Sequence, residues 1–344
     1  MSKNLYPLLF EPVLKSYIWG GRKLQSALGR SLPPDGVIAE SWEIAAHNDG
    51  DCTVRNGYYA GHTLSRLQAE LGADLCGSAN AWALERGIFP LLIKLLDATQ
   101  ALSVQVHPDD AYALAHEGNE LGKTEMWVVL QAKPGARLVL GVRKGVDAGS
   151  FRQALAEGRL EDCLHYLPVQ SGDHVCVPAG TLHAILGGLL IAEIQQNSNT
   201  TYRVYDWGRL GADGKERPLH IDKALAVIDF SCVEPAVCPA AALPLPEQAA
   251  AQGSRGELLC RNRYFTTERL RLPAGAIWEG CCDGSSLEIW GALEGSLAVS
   301  TESGPAEHEI LLAAVSFCLL PAALGKYRIR AKTGATLLRT RVET

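Results

Sequence analysis

Gly172-Asp173-His174-Val175-Cys176-Val177-Pro178-Ala179-Gly180-Thr181-Leu182-His183 is the stretch that decides how this chain reads. The glycine ends a turn, the residues after it have strand character, and Pro178-Ala179-Gly180 makes a tight bend. His183 then enters the following strand close to that bend, where its imidazole can point into the interior of a barrel. A histidine presented this way is a candidate metal ligand.

Partners for it lie upstream. In Leu102-Ser103-Val104-Gln105-Val106-His107-Pro108, Gln105 and His107 are two apart, so on a strand both side chains face the same way. Farther on, Lys123-Thr124-Glu125-Met126-Trp127 opens another strand with a carboxylate near its start. Gln105, His107, Glu125 and His183 would supply two imidazole nitrogens and two oxygens. That mixture suits Zn²⁺, one ion per chain, with a position open for water or substrate.

Each of these residues also has a plainer explanation. A single histidine is more often a satisfied structural residue than a ligand, and Q-x-H recurs by chance. His107 beside Pro108 could hydrogen-bond within a turn, and Glu125 could pair with Lys123 at the surface. The complete P-x-G-x-x-H element is what favours the joint site. His47, His62, His116, His165, His220 and His308 lack such a context and read as structural; His174 is set apart because it lies on the motif strand.

The chain has 344 residues, 47% hydrophobic and 20% charged, enough for two globular domains or one large one. A net charge of −6 argues against a nucleic-acid or anionic-membrane partner, yet leaves room for an anionic substrate held by a few local cations. Pro7, Glu11 and Pro12 interrupt the opening residues, so no secretory signal is expected there. The longest apolar stretch, 311–324, contains Pro321 and is too short to span a bilayer, reading instead as buried strands. Ten cysteines without any C-x-x-C pair are expected as reduced core thiols in a cytoplasmic protein.

Short apolar runs bounded by Gly and Pro dominate, as in Met126-Trp127-Val128-Val129-Leu130 and Arg137-Leu138-Val139-Leu140-Gly141. They predict a sandwich or barrel. Helices are expected over 111–116 after the capping residues Pro108-Asp109-Asp110, over 150–164, and over 220–228. Residues 234–256, rich in Ala and Pro, are expected as a linker between a catalytic unit, 1–233, and a second β-rich unit, 257–344.

Taken in order, these blocks resemble type I phosphomannose isomerases in their short bacterial form. The resemblance covers nearly the whole chain. Its blocks are Trp19-Gly20-Gly21, Glu40-Ser41-Trp42-Glu43-Ile44, 89–108, Lys123-Thr124-Glu125-Met126-Trp127, 178–183, Glu193-Ile194-Gln195-Gln196-Asn197-Ser198 and Tyr202-Arg203-Val204-Tyr205-Asp206-Trp207-Gly208-Arg209. It implies a mainly β fold of two cupin (jelly-roll) units, with a few helices in and after the first. It also implies a zinc ion in the first unit, held by Gln105, His107, Glu125 and His183. The implied reaction interconverts mannose 6-phosphate and fructose 6-phosphate.

By the same resemblance, Arg203 matches an active-site arginine and Glu193 a pocket carboxylate, either an acid/base or an orienting group. Lys94, in an otherwise apolar strand, must be ion-paired or touch substrate. Ser103 and Lys123 are expected at the phosphate or sugar hydroxyls. Two departures stand out. Cupins usually carry Asn four residues after the motif histidine, where this chain has Gly187; and Asn199 occupies a place where many relatives have an acid. An iron-dependent cupin oxygenase and a non-catalytic sugar-phosphate sensor remain as rival readings. The C-terminal unit lacks both metal motifs and is expected to be metal-free. Monomer and homodimer are equally compatible with the sequence.

Overall fold

A computed structural model describes residues 5–211, 214–302 and 309–342, and the apolar runs become strands. His308 lies outside the described residues. The strands that build the site are β1 (Val13–Lys15), β2 (Glu40–Ile44), β3 (Leu91–Ala98), β4 (Val104–Val106), β5 (Glu125–Ala132) and β6 (Arg137–Val142). They continue with β7 (Leu164–Pro168), β8 (His174–Val177), β9 (His183–Ile185), β10 (Leu189–Gln196) and β11 (Tyr202–Tyr205). One sheet runs β8-β5-β10-β3-β2-β1 and a second runs β7-β6-β9-β4-β11.

The inward residues of both sheets meet in one apolar layer. Leu96, Trp127, Val175 and Ile191 come from the first sheet, Leu138 and Ile185 from the second. The outer face of the second sheet is covered in turn: Val104, Val139, Ala184 and Val204 pack with Phe151, Ala154 and Ala224 of two helices. This is the mainly β, cupin-like arrangement expected, with helices attached to the first unit. All eight residues of β3 and all eight of β10 are buried. Any charge on those strands must therefore find a partner inside the protein.

Helices form at Asp110–His116 and Ile221–Val227, but the one expected over 150–164 spans only Ala148–Ala156, with a separate 3-10 turn at Leu160–Cys163 before β7. Their starts are set by side chains: Asp109 accepts from the Tyr112 amide, and Asp147 forms a capping box with Ser150. Helices at Leu64–Leu71 and Ala81–Arg86 were not expected from the pattern. Among the described residues, no helix is long and apolar enough to cross a membrane.

Contacts group the chain into two units: Leu14–Ser41 with Lys94–Cys238, and Met1–Val13 with Trp42–Ile93 and Pro239–Thr344. These cuts fall elsewhere than the expected 1–233 and 257–344. The amino-terminal residues are one reason, because Leu8 exchanges backbone hydrogen bonds of 2.8 and 3.0 Å with Leu319. The 234–256 stretch is a further correction. Ala241–Ala242 pairs with Arg255–Arg261, Glu247–Ala251 is helical, and Ala249 is part of an apolar core. Small alanines let this segment lie flat on the sheet, so its low periodicity did not signal a free linker.

The second unit has its own six- and four-stranded sheets. A polar cluster sits beside its apolar interior. Arg339 Nε donates to Glu288 at 3.0 Å, as does Trp290 Nε1 at 2.9 Å, and the Arg339 guanidinium lies 5.7 Å from the Trp278 ring.

The bend of the deciding motif depends on Gly180, whose φ is +86°. A Cβ there would come within 3.0 Å of the Val227 carbonyl oxygen. Gly180→Ala is expected to cost about 1–2 kcal/mol, read as a lower urea midpoint with an unchanged m-value. An unchanged midpoint would show that the bend tolerates a side chain.

Candidate metal centre and active site

Strand register brings the sequence-separated candidates together. His183, first residue of β9, pairs directly with Gln105 of β4. Glu125, first residue of β5, lies between Val177 of β8 and Gln195 of β10. His107 Nε2 stands 3.2 Å from Glu125 Oε1, and His183 Nε2 stands 3.8 Å from Glu125 Oε2. One ligand atom from each of the three lies within 4.8 Å of the others, all buried.

Backbone carbonyls orient both imidazoles. The two Nδ1 atoms lie 2.8 Å from the Thr200 oxygen (His107) and 2.9 Å from the Thr181 oxygen (His183), positions in which Nδ1–H donates. That tautomer turns each Nε2 lone pair toward Glu125. Burial, then the charge of Lys123, pushes the His107 pKa down to about 3, and burial also lowers that of His183. Both rings are neutral at pH 7, as ligands must be.

The donor set fits a cation on its own terms. His107 Nε2 and both Glu125 oxygens are buried without an aligned hydrogen bond. Lys123 Nζ approaches Glu125 Oε1 at 2.8 Å as an ion pair. Burial opposes ionisation of Glu125, but the charge of Lys123 holds its pKa well below the usual carboxylate range. Gln105 Nε2 lies 3.4 Å from His183 Nε2, while Ser103 Oγ donates to Gln105 Oε1 at 3.2 Å. Turning that amide over would put its oxygen on the cluster side and let its nitrogen donate to Ser103.

A cavity of about 270 Å³ opens beside the cluster, walled by Gln105, Glu125 and His183 and by Glu40, Lys94, Ser103, Lys123, Trp127, Glu193, Asn199, Arg203 and Arg217. Lys94, on fully buried β3, lies 3.6 Å from Glu40 and 3.5 Å from Glu193. Burial alone would lower its pKa; the carboxylates, Glu40 first, raise it instead. The buried ion pair expected for Lys94 is thus present. Glu193 also accepts from Trp127 Nε1 at 2.8 Å. Burial, then the charge of Glu125, lifts the Glu193 pKa to about 7. The Trp127 ring meets His183 edge-on, with centroids 5.4 Å apart.

Arg203 lies on β11, and its Nε donates to Ser103 Oγ at 3.2 Å. Lys123 is buried against Glu125 rather than projecting to solvent. His174 is buried on β8 and is not among the cavity's wall residues. Two charged wall residues, Glu40 and Arg217, had no assigned role in the sequence reading. Glu40 stood in a quoted block, and its only signal was a carboxylate heading an apolar strand. Arg217 follows a glycine-containing turn with no periodicity to mark it.

These features define a class: a cupin-like protein with a buried His–Glu–His cluster that could hold a metal ion, lining a polar, ligand-sized cavity. The profile of the type I phosphomannose isomerase catalytic domain matches residues 8–126. A mannose-6-phosphate isomerase of Streptococcus mutans is 40% identical over 266 residues, covering 77% of this chain and 79% of that protein. Mannose-6-phosphate isomerase ManA of Bacillus subtilis is 44% identical over 227 residues, covering 66% and 69%. The crystal structure of the mannose 6-phosphate isomerase from Bacillus subtilis superposes with a TM-score of 0.84 at 32% identity, over 97% of this chain and 99% of that one. The chain belongs to the type I phosphomannose isomerase family.

The neutral His107 gives a pH test on metal-free protein. Its folded pKa lies below its ordinary 6.5. Its contribution to stability is therefore full above pH 6.5 and is lost as pH falls toward the folded value. Urea midpoints should fall across that window, and less steeply in His107→Gln. Equal slopes in the two proteins would mean His107 is not held neutral.

Proposed function

We propose that this chain is a zinc-dependent isomerase interconverting D-mannose 6-phosphate and D-fructose 6-phosphate through an enediolate. The observation that carries the reading is the His107–Glu125–His183 cluster opening onto a cavity that also holds a buried carboxylate and several cations. Gln105, His107, Glu125 and His183 would hold the ion. Bound there, Zn²⁺ supplies redox-inert positive charge for polarising substrate oxygens.

The remaining chemistry belongs to the chain's own residues. Isomerisation removes a proton from C2 and returns it to C1, or the reverse, without net oxidation. Glu193, with its pKa lifted toward neutrality, is suited both to accept and to return that proton. Lys94 is its buried partner and controls how much charge Glu193 carries. Arg203 would donate hydrogen bonds to the negative charge that develops on the enediolate. Ser103 is assigned to a sugar hydroxyl. Lys123, whose ammonium faces Glu125, would reach hydroxyls next to the ion while neutralising that ligand. The unit built around Glu288 and Arg339 is assigned a structural role.

One observation favours a second reading. Asn199 is a cavity-wall residue, and an amide cannot accept a proton at neutral pH. A protein without another competent base would bind sugar phosphate and not turn it over. A coupled assay with mannose 6-phosphate, before and after chelation and zinc readdition, separates the two. Turnover should vanish on chelation and return with zinc; binding without turnover at any metal content would favour the sensor. Arg203→Ala is expected to keep zinc and lose roughly 100-fold or more in kcat. A normal rate would remove Arg203 from the mechanism.

A further inference from the structure

We propose that Arg217, held in place by Asp206, anchors the phosphate of the substrate and so sets the preference for phosphorylated over plain hexoses. The proposal deepens the isomerase reading of the cavity and rests on it.

The charges around the cavity lead to this assignment. Lys123 is 2.8 Å from Glu125, and Lys94 lies between Glu40 and Glu193 at 3.6 and 3.5 Å. Both ammonium groups already face carboxylates. Arg217 on the same wall is different. Arg217 Nε and Nη2 donate to Asp206 Oδ2 and Oδ1 at 2.7 and 2.5 Å, a fork that fixes the guanidinium plane. Its Nη1 makes no hydrogen bond among the described residues. Arg203 Nη1 donates to the carbonyl of Pro218, the residue after Arg217, at 2.9 Å. Arg203 and Arg217 thus face one cavity from adjoining chain.

Asp206 also accepts from Arg209 Nη2 at 2.5 Å, while Arg209 Nη1 donates to the Ala101 carbonyl. Asp206 against Arg209 and Arg217 leaves one positive charge beside Arg217, which favours an anion there. Guanidinium is suited to that task because its planar donors can hold a carboxylate on one edge and a phosphate oxygen with the remaining amino group. A hydrogen-bonded path also links this wall to the metal cluster, from Arg203 through Ser103 to Gln105. A sugar carbon chain would lie along that path between ion and phosphate. Asp206 is a positioning residue on this view, since its oxygens are occupied by the arginines.

The test uses zinc-loaded wild type, Arg217→Ala, and Arg152→Ala, which removes an exposed charge on the Ala148–Ala156 helix. KM for mannose 6-phosphate should rise roughly 10- to 100-fold in Arg217→Ala, with kcat within about threefold, and stay unchanged in Arg152→Ala. Calorimetric titration with inorganic phosphate should show a parallel loss of affinity. A KM and phosphate affinity within twofold of wild type would overturn the assignment, and with a lowered melting temperature would make Arg217 structural. If Arg217→Ala does not fold, Arg217→Gln keeps a donor for Asp206 and is measured in its place. If the wild type shows no turnover, the isomerase reading fails, and the phosphate titration alone decides whether Arg217 is an anion anchor.

Discussion

A carboxylate with about 1% of its side chain exposed is the constraint around which the first unit is arranged. Glu125 cannot keep its charge in an apolar sandwich without positive or hydrogen-bonding neighbours. Lys123 supplies one from the same strand segment, and two imidazoles are turned toward it by the carbonyls of Thr181 and Thr200. Because those rings are neutral, one ammonium and two lone-pair donors surround a single negative charge. A divalent cation would complete such a set. The same charge reaches farther, since it helps raise the pKa of Glu193 and so couples that carboxyl to the His–Glu–His cluster.

How far this could be read from the sequence follows from how local each signal is. The bend at Pro178-Ala179-Gly180 is written in consecutive residues, because only glycine adopts φ of +86° readily. The common face of Gln105 and His107 follows from the two-residue strand period. Glu125 was found by its place at a strand start, although the register with Val177 and Gln195 that locates it is non-local. Lys94 announced itself as a charge within an apolar run, but which carboxylates it meets depends on neighbours across the sheet. Lys123 was expected at the substrate's phosphate or hydroxyls, and its contact with the buried Glu125 carboxylate is a pairing that spacing alone did not fix. Arg217 sits in an aperiodic connection, where sequence spacing says nothing about direction.

The fold shows the same division. The helix start near Asp109 was legible because capping is a short-range event, whereas the cap at Asp147 lay ahead of the expected start at 150. The segment 234–256 was misjudged because alanine and proline satisfy a linker and a close-packed edge equally well. Leu8 pairs with Leu319, and no local pattern could foretell a partner so distant in the chain. The second unit carries its own polar cluster, in which Arg339 and Trp290 meet Glu288. Charge is balanced there by protein groups alone, whereas around Glu125 the protein leaves lone pairs over.

Trp127 donates its indole hydrogen to Glu193 and sets its ring edge against His183. A fluorophore is thereby wired to both working ends of the cavity. Its emission should respond to ion loading through the imidazole and to proton loading through the carboxylate. Six other tryptophans share the emission band, so the Trp127 signal would be the difference between the native chain and a Trp127→Phe variant.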